Sequence, residues 1–249
     1  MSKIVLTAAS RVGCVRSNNE DMVLAFDKLV RGDAYQTAFQ TENFAHFVIA
    51  LADGMGGHQA GEVASELVLS NLQYYVSDLP RGLDANGVIE RMLEWIPSIN
   101  NIVNSRGNSN PAMQNMGTTL VGMLYYSGHY FWFNCGDSRL YRFRDGQLKQ
   151  LTTDHSLNMM TGQTKHSNVI TNCIGAGASK LYLDMKEITD DFFPGDVYML
   201  CSDGLNDMVP DFHIETLMRE DCTANQLCEA AIDAGGYDNV SVIKFKVVD

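Results

Sequence analysis

Between Thr118 and Leu151 the chain runs through four strand-like segments in succession: Thr118–Tyr126, Tyr130–Cys135, Arg139–Phe143 and Gln147–Leu151. The first two are apolar and rich in aromatic or β-branched residues, which suit a pleated, half-buried surface, and the last two alternate leucine or aromatic with polar residues. Asp145-Gly146, between the last two, is a strong hairpin signal because a type I′ turn needs positive φ. Ser127-Gly128 marks another turn. Further strands are expected at about Lys3–Ala9, Met22–Phe26, His46–Ala52, Leu181–Ile188, Val197–Cys201 and Val240–Val248. Strands therefore come in hairpin-like runs, not in the β-α-β alternation of a parallel sheet. The fold class expected is α+β, a central antiparallel β-sandwich with helices packed outside.

The helices fall in the middle and near the end. Ala64, Val68, Leu72 and Val76 recur every four residues, predicting a helix from about Gly61 to Asp78. Val88, Met92, Trp95, Ile96, Ile99 and Val103 make a second apolar stripe, and Pro97 inside it predicts a kink or a break. Arg106–Asn115 is polar and reads as a loop. Shorter helices are expected near Asp211–Arg219 and Ala224–Ala234. With no repeat, low-complexity tract or proline-rich linker, the 249 residues read as one domain, 1–249.

Hydrophobic residues make up 45% and charged residues 19%, enough apolar material for a sizeable core. The net charge of −12 argues against nucleic acid and acidic membrane surfaces as partners. The six cysteines form no C-x-x-C pair, and Cys135 and Cys201 lie inside apolar runs, as small buried hydrophobes in a reducing compartment do. Ile4-Val5-Leu6 is too short for a signal peptide and Phe47–Ala52 too short for a membrane span, so the expectation is a soluble cytoplasmic protein.

Four aspartates sit at the ends of expected strands beside glycine, serine or asparagine: Asp53, Asp137, Asp203 and Asp238. Aspartate is a poor strand former, so each breaks the β pattern where a loop begins. Any one of these dipeptides is adequately explained as a turn. Several carboxylates on rigid strand ends can also hold hard divalent cations, which prefer oxygen ligands. Spacing alone does not bring them into one site.

Longer strings surround these positions. They are Gly13-Cys14-Val15-Arg16-Ser17-Asn18-Asn19-Glu20-Asp21, Ala52-Asp53-Gly54-Met55-Gly56-Gly57-His58, Gly117-Thr118-Thr119 and Gly136-Asp137-Ser138-Arg139-Leu140-Tyr141. Thr153-Asp154-His155-Ser156, Asn168-Val169-Ile170-Thr171, Ser202-Asp203-Gly204-Leu205 and Asp238-Asn239-Val240-Ser241-Val242 follow. In this order, and across nearly the whole chain, the sequence resembles the metal-dependent serine/threonine phosphatases of type 2C in their bacterial form.

The resemblance implies a four-layer α-β-β-α fold and hydrolysis of phosphoserine and phosphothreonine on proteins, opposing a serine/threonine kinase. It implies two Mn2+ or Mg2+ ions, with a third, weaker one. Asp53 resembles the carboxylate bridging the two ions, with the Gly54 carbonyl as a further ligand. Asp203 and Asp238 resemble direct ligands of one ion; Glu20 and Asp21 resemble groups that hold the second through its waters. Asp137 matches a residue that, with Asp203, holds the third ion, and Arg16 matches the guanidinium that receives the substrate phosphate. Such ions, about 4 Å apart, clamp a phosphate and acidify water for in-line attack, so no protein nucleophile is needed. Arg16 can bind two phosphoryl oxygens at once.

Many eukaryotic relatives carry histidine after the Asp-Gly pair; Met55 stands there in this chain, and its thioether cannot donate a proton. His58 is a weak substitute and His155 is expected to be structural. The family's helical flap is expected to be shortened here, at about 155–168, and Asp27–Ala45 reads as a solvated loop between two early strands. A catalytically silent regulatory module of the same fold, binding a partner protein, is the alternative. Because Asp53, Asp203 and Asp238 are all present, the catalytic reading ranks first.

Overall fold

The structure, a computed structural model, describes residues 2–56, 60–157, 159 and 169–249. Its first sheet has the order β11 (Gln147–Gln150), β10 (Arg139–Arg144), β14 (Val197–Cys201), β15 (Val240–Val248), β1 (Lys3–Arg11), β4 (Ala34–Gln40). The second has the order β13 (Asp184–Glu187), β9 (His129–Cys135), β8 (Leu120–Tyr126), β5 (His46–Ala52), β2 (Met22–Ala25), β3 (Lys28–Val30). Every neighbouring pair in both is antiparallel. A small sheet of β12 (Ile174–Gly175), β7 (Gly117–Thr118) and β6 (Gly54–Met55) lies beside them.

Three apolar cores show how the layers stack. Successive side chains of a strand point to opposite faces, so each central strand serves two cores. Phe47, Ile49 and Leu51 of β5 join Tyr198 and Leu200 of β14 and Ile243, Phe245 and Val247 of β15 between the sheets. Val48, Ala50 and Ala52 of β5 face the other way, onto α1 (Ala60–Ser77) and α2 (Ala85–Ser109). Val240 and Val242 of β15, with Met199 and Cys201 of β14, pack on α4 (Asp211–Arg219) and α5 (Ala224–Asp233). The expected α-β-β-α sandwich is the fold observed. Both faces of the central strands are covered, which is why they read as near-continuous apolar runs. Among the described residues, no helix is long and apolar enough to cross a membrane. All six cysteines are free.

Both expected turns are present. Asp145 and Gly146 have φ of 52° and 78°, Ser127 and Gly128 of 46° and 94°. Two expected loops are corrected, and the kink or break expected at Pro97 is not a break. The helix carrying Pro97 does not break; α2 runs on for 25 residues and absorbs Arg106–Ser109 from the expected loop. Buried residues continue on both sides of the proline, from Val88 to Val103, so packing holds the helix through one missing backbone bond. Asp27–Ala45 is not a plain loop: it contains β3 and β4. Tyr35, Thr37 and Phe39 alternate with exposed neighbours along β4, which pairs with β1, and the Phe39 ring stacks on Phe26 at 3.9 Å. A one-sided edge strand gives only this weak period-two signal. A short helix, α3 (Asp203–Asn206), for which the sequence carried no expectation, follows β14 directly. Gly57, His58, Asn168 and most of the expected flap at 155–168 lie outside the described residues.

Candidate active site

The antiparallel registers bring the strand-end aspartates to one edge of the sandwich. In the first sheet Arg11 stands opposite Val240, Val242 opposite Cys201, and Cys201 opposite Arg139. The end of β1, the start of β15, the end of β14 and the start of β10 therefore lie side by side. In the second sheet Met22 faces Ala52, Leu51 faces Val121, and Leu120 faces Cys135. Links 12–21 and 136–138 cross between the sheets along this same edge. Asp238 precedes β15, Asp203 opens α3 after β14, Asp137 lies between β9 and β10, Asp21 precedes β2, and Asp53 follows β5. Register thus supplies the convergence that sequence spacing does not.

Polar side chains with no assigned role in the sequence hold these ends together. Asn239 Oδ1 accepts from Glu20 N at 2.8 Å, while its Nδ2 donates to Val12 O at 2.9 Å and Asn18 O at 2.8 Å. One side chain thereby fastens the loop carrying Arg16 and Glu20 to the residue after Asp238. Ser202 Oγ donates to Asp21 Oδ2 at 2.8 Å and accepts from Ser241 N at 3.0 Å. Ser10 Oγ meets Ser241 Oγ at 2.8 Å and Asn19 Nδ2 at 2.7 Å. Thr119 Oγ1 accepts from Asp53 N at 3.0 Å, and Thr118 Oγ1 donates to Asp53 O at 2.8 Å. Gly54 requires its missing Cβ: one there would sit 2.2 Å from Gly61 O and 2.5 Å from Glu20 O.

His155 has the structural task expected of it. Its Nδ1 accepts from Gly136 N at 3.1 Å and Asn172 Nδ2 at 2.8 Å, so Nε2 carries the proton toward Asp184 Oδ2 at 3.0 Å. It fixes the turn that presents Asp137.

The Asn239 clamp is testable. Asn239→Ala leaves the Glu20 amide and two carbonyls without their partner, at a cost of about 1–3 kcal/mol for unpaired buried polar groups. A thermal melt should show a midpoint lower by roughly 2–12 °C, taking about 2–4 °C per kcal/mol for a domain of this size. An unchanged midpoint contradicts the clamp.

The carboxylates crowd one another. Burial, then the charges of Asp21, Asp203, Asp137 and Asp238, pushes the Asp53 carboxyl well above the usual carboxylate range. Burial, then Asp137, Asp207, Asp238 and Asp21, pushes Asp203 up to about 8. Asp21 rises to about 6, chiefly through burial, although hydrogen bonds from Ser241 and Ser202 oppose it. Asp137 also rises to about 6, mainly through burial. Glu20 is raised by burial and held back by Arg16. Arg16 Nη2 pairs with Asp238 Oδ2 at 2.6 Å, so two residues given separate roles by the resemblance are direct partners. That hydrogen bond raises the Arg16 pKa, with further help from Glu20 and Asp53.

This constellation suits hard cations. Asp21 Oδ1 is buried without a hydrogen-bond partner, inside a group of like charges. A cation would relieve both the orphaned oxygen and the repulsion that raises Asp53 and Asp203. Among the described residues, no group of three or more acidic, histidine or cysteine side chains is placed to hold a metal ion by itself, so carbonyl oxygens and water would have to complete the shell. Beside the cluster opens a cleft of about 750 Å³, lined by Arg16, Ser17, Asn18, Glu20, Gly56 and Asn239 and by Asn110, Ala112 and Met113. The last three escaped the sequence reading because polar and small residues after a helix look like an ordinary loop.

The family profile described as protein phosphatase 2C matches residues 26–228. The chain belongs to the protein phosphatase 2C family. Within this family it is 34% identical, over 99% of its length, to the serine/threonine protein phosphatase PstP of Mycobacterium tuberculosis. It spans 46% of the length of that relative. The solved catalytic domain of PstP, in complex with 2 manganese ions, superposes with a TM-score of 0.78 at 33% identity, covering 100% of both chains. The S. agalactiae serine/threonine phosphatase gives a TM-score of 0.82 at 28% identity, covering 99% of this chain and 100% of its own. The protein phosphatase 2C family is the one that the motif strings resembled, and its sandwich is the one seen here.

Proposed function

We propose that this chain is a metal-dependent protein phosphatase that hydrolyses phosphoserine and phosphothreonine esters, acting as one catalytic domain over residues 1–249. The observation that carries the reading is the convergence of Asp21, Asp53, Asp137, Asp203 and Asp238 beside Arg16, in an acidic cluster with one orphaned carboxylate oxygen. The 2 manganese ions of PstP support a pair of divalent cations as the cofactor of this chain too; that these are Mn2+ or Mg2+, with a third, weaker ion beside them, belongs to the proposal.

Asp53 and the Gly54 carbonyl, with Asp203 and Asp238, would hold the ions directly; Glu20 and Asp21 would hold one through its waters, and Asp137 would join Asp203 at the third. When bound, the ions supply positive charge on phosphoryl oxygens and acidify water. The chain's own residues do the rest. Arg16 exchanges the Asp238 carboxylate for two phosphoryl oxygens, one anion for another, and so orients the ester. Ser202 and Ser241 keep Asp21 in place, and the Thr118–Thr119 pair fixes the Asp53 backbone. Met55, beside Gly54, offers no proton to the leaving oxygen. The substrates on this reading are phosphorylated proteins in the cytoplasm, made by a serine/threonine kinase, with no role for nucleic acid or membrane.

The test is turnover of a phosphothreonine peptide and a small aryl phosphate with manganese or magnesium; no turnover above an Asp203→Asn control rejects the reading. Arg16→Lys keeps the charge and loses the two-pronged geometry. We expect kcat/KM to fall by about 10–100-fold, since a charge-assisted hydrogen bond contributes about 1.5–3 kcal/mol. A Lys variant as active as the unaltered protein contradicts the phosphate-binding role.

A further inference from the structure

The cleft beside Arg16 is larger than a phosphate group requires. At about 750 Å³ it falls in the range that takes a drug-sized ligand, or several residues of peptide. Arg16 and Glu20 line one part of it; Asn110, Ala112 and Met113, from the turn after α2, line another and have no task in the chemistry above.

That turn is well fixed. Asn110 Oδ1 accepts from Ala112 N at 3.0 Å, Asn110 O from Met113 N at 2.8 Å, and Met113 O from Met116 N at 3.1 Å. Met116 is buried in the core against α2. Gly107 lets the helix end approach closely, since a Cβ there would lie 3.0 Å from Met113 O and 3.3 Å from Met116 Cγ. The result is a rigid, uncharged surface of one methyl, one thioether and one amide. Rigid placement is what a selective contact needs, and a thioether adapts to apolar side chains of differing shape.

Resting on the phosphatase reading, we propose that the Asn110–Met113 turn is a flanking-residue subsite: it receives an uncharged, apolar side chain next to the phosphorylated residue of a polypeptide substrate and disfavours an acidic one. Once the phosphate is at Arg16, the neighbouring residues of a peptide must occupy the remainder of the cleft. An acidic side chain there would leave water for the methyl of Ala112 and the thioether of Met113, neither of which can donate it a hydrogen bond. An aryl phosphate has nothing to place on the turn.

The experiment uses the full chain with manganese and compares kcat/KM for an aryl phosphate and for phosphothreonine peptides carrying leucine or aspartate on either side of the phosphothreonine. The unaltered protein should favour leucine over aspartate on at least one side by about ten-fold, the size of a single apolar contact. Met113→Glu and Ala112→Glu should each lower kcat/KM for the leucine peptide about ten-fold and leave the aryl phosphate within about two-fold. Ala112 is exposed, so its replacement leaves the core intact. Equal use of the two peptides, variants that leave the leucine peptide unaffected, or variants that lower both substrates in parallel would each overturn the proposal. Failure of the phosphatase reading looks different: the unaltered protein would not turn over the aryl phosphate at all.

Discussion

Asp53→Asn is expected to lower kcat on a phosphothreonine peptide by on the order of 10³-fold or more while raising the thermal midpoint of the protein kept in chelator at pH 7.5. The two effects share one cause. The Asp53 carboxyl is pushed well toward its neutral form, by burial and then by four other aspartates. Ionising it at neutral pH therefore works against the fold, and an amide of the same shape removes that repulsion. The backbone bonds of Asp53 to Thr118 and Thr119 do not involve the carboxyl and remain. The charge removed is the one proposed to bridge two cations, so activity falls as stability rises, a trade known for strained sites. A variant that keeps a tenth of the activity, or melts below the unaltered protein in chelator, contradicts this account.

The second large effect is the dependence of stability on pH and manganese. Carboxyls raised in the folded state bind protons more tightly there than in the unfolded chain, where aspartate titrates near 3.9. Their contribution favours the fold at low pH and is lost as pH rises through the folded values. For Asp21 and Asp137 that loss runs between about pH 4 and 6, and for Asp203 up to about 8. Without cations the protein should therefore melt lower at pH 8 than at pH 5.5. Glu187, Asp191 and Asp221 are lowered instead, by hydrogen bonds from His129, Arg144 and Lys244, and their contribution is lost only in more acid solution. Manganese at about 100 times its dissociation constant should add about 2.7 kcal/mol, roughly 5–11 °C, at pH 8. At pH 5.5 protons compete for the same oxygens and the gain should shrink. A midpoint that rises from pH 5.5 to 8 in chelator, or that ignores manganese at pH 8, counts against a cation-binding acidic cluster.

Much of the fold was legible because its signals are local. His46–Ala52, Val197–Cys201 and Val240–Val248 are strands with the expected bounds, since each is an apolar run stopped by glycine, serine or a polar residue. β4 was missed because an edge strand buries one face and its seven residues include only two aromatics. The continuation of α2 past Pro97 could not be told from a break, because the rule for proline describes a local cost, whereas packing of Val88 through Val103 is a tertiary gain. The acidic residues could be named, because aspartate interrupts a strand pattern visibly. Their meeting place could not be derived without the family resemblance, since register is a property of paired strands. The pairing of Arg16 with Asp238 and the clamps made by Asn239, Ser202 and Ser241 were invisible for another reason: polar residues beside turns look alike whether or not they reach across the fold.

The most direct test of the central claim is anomalous diffraction from crystals soaked in manganese chloride. The account predicts two strong peaks at the β-sandwich edge, one touching Asp53 and Asp203 or Asp238, the other touching Asp53 on the side of Glu20 and Asp21. Peaks confined to the outer surface, or none within reach of the Asp53 carboxylate, would contradict it.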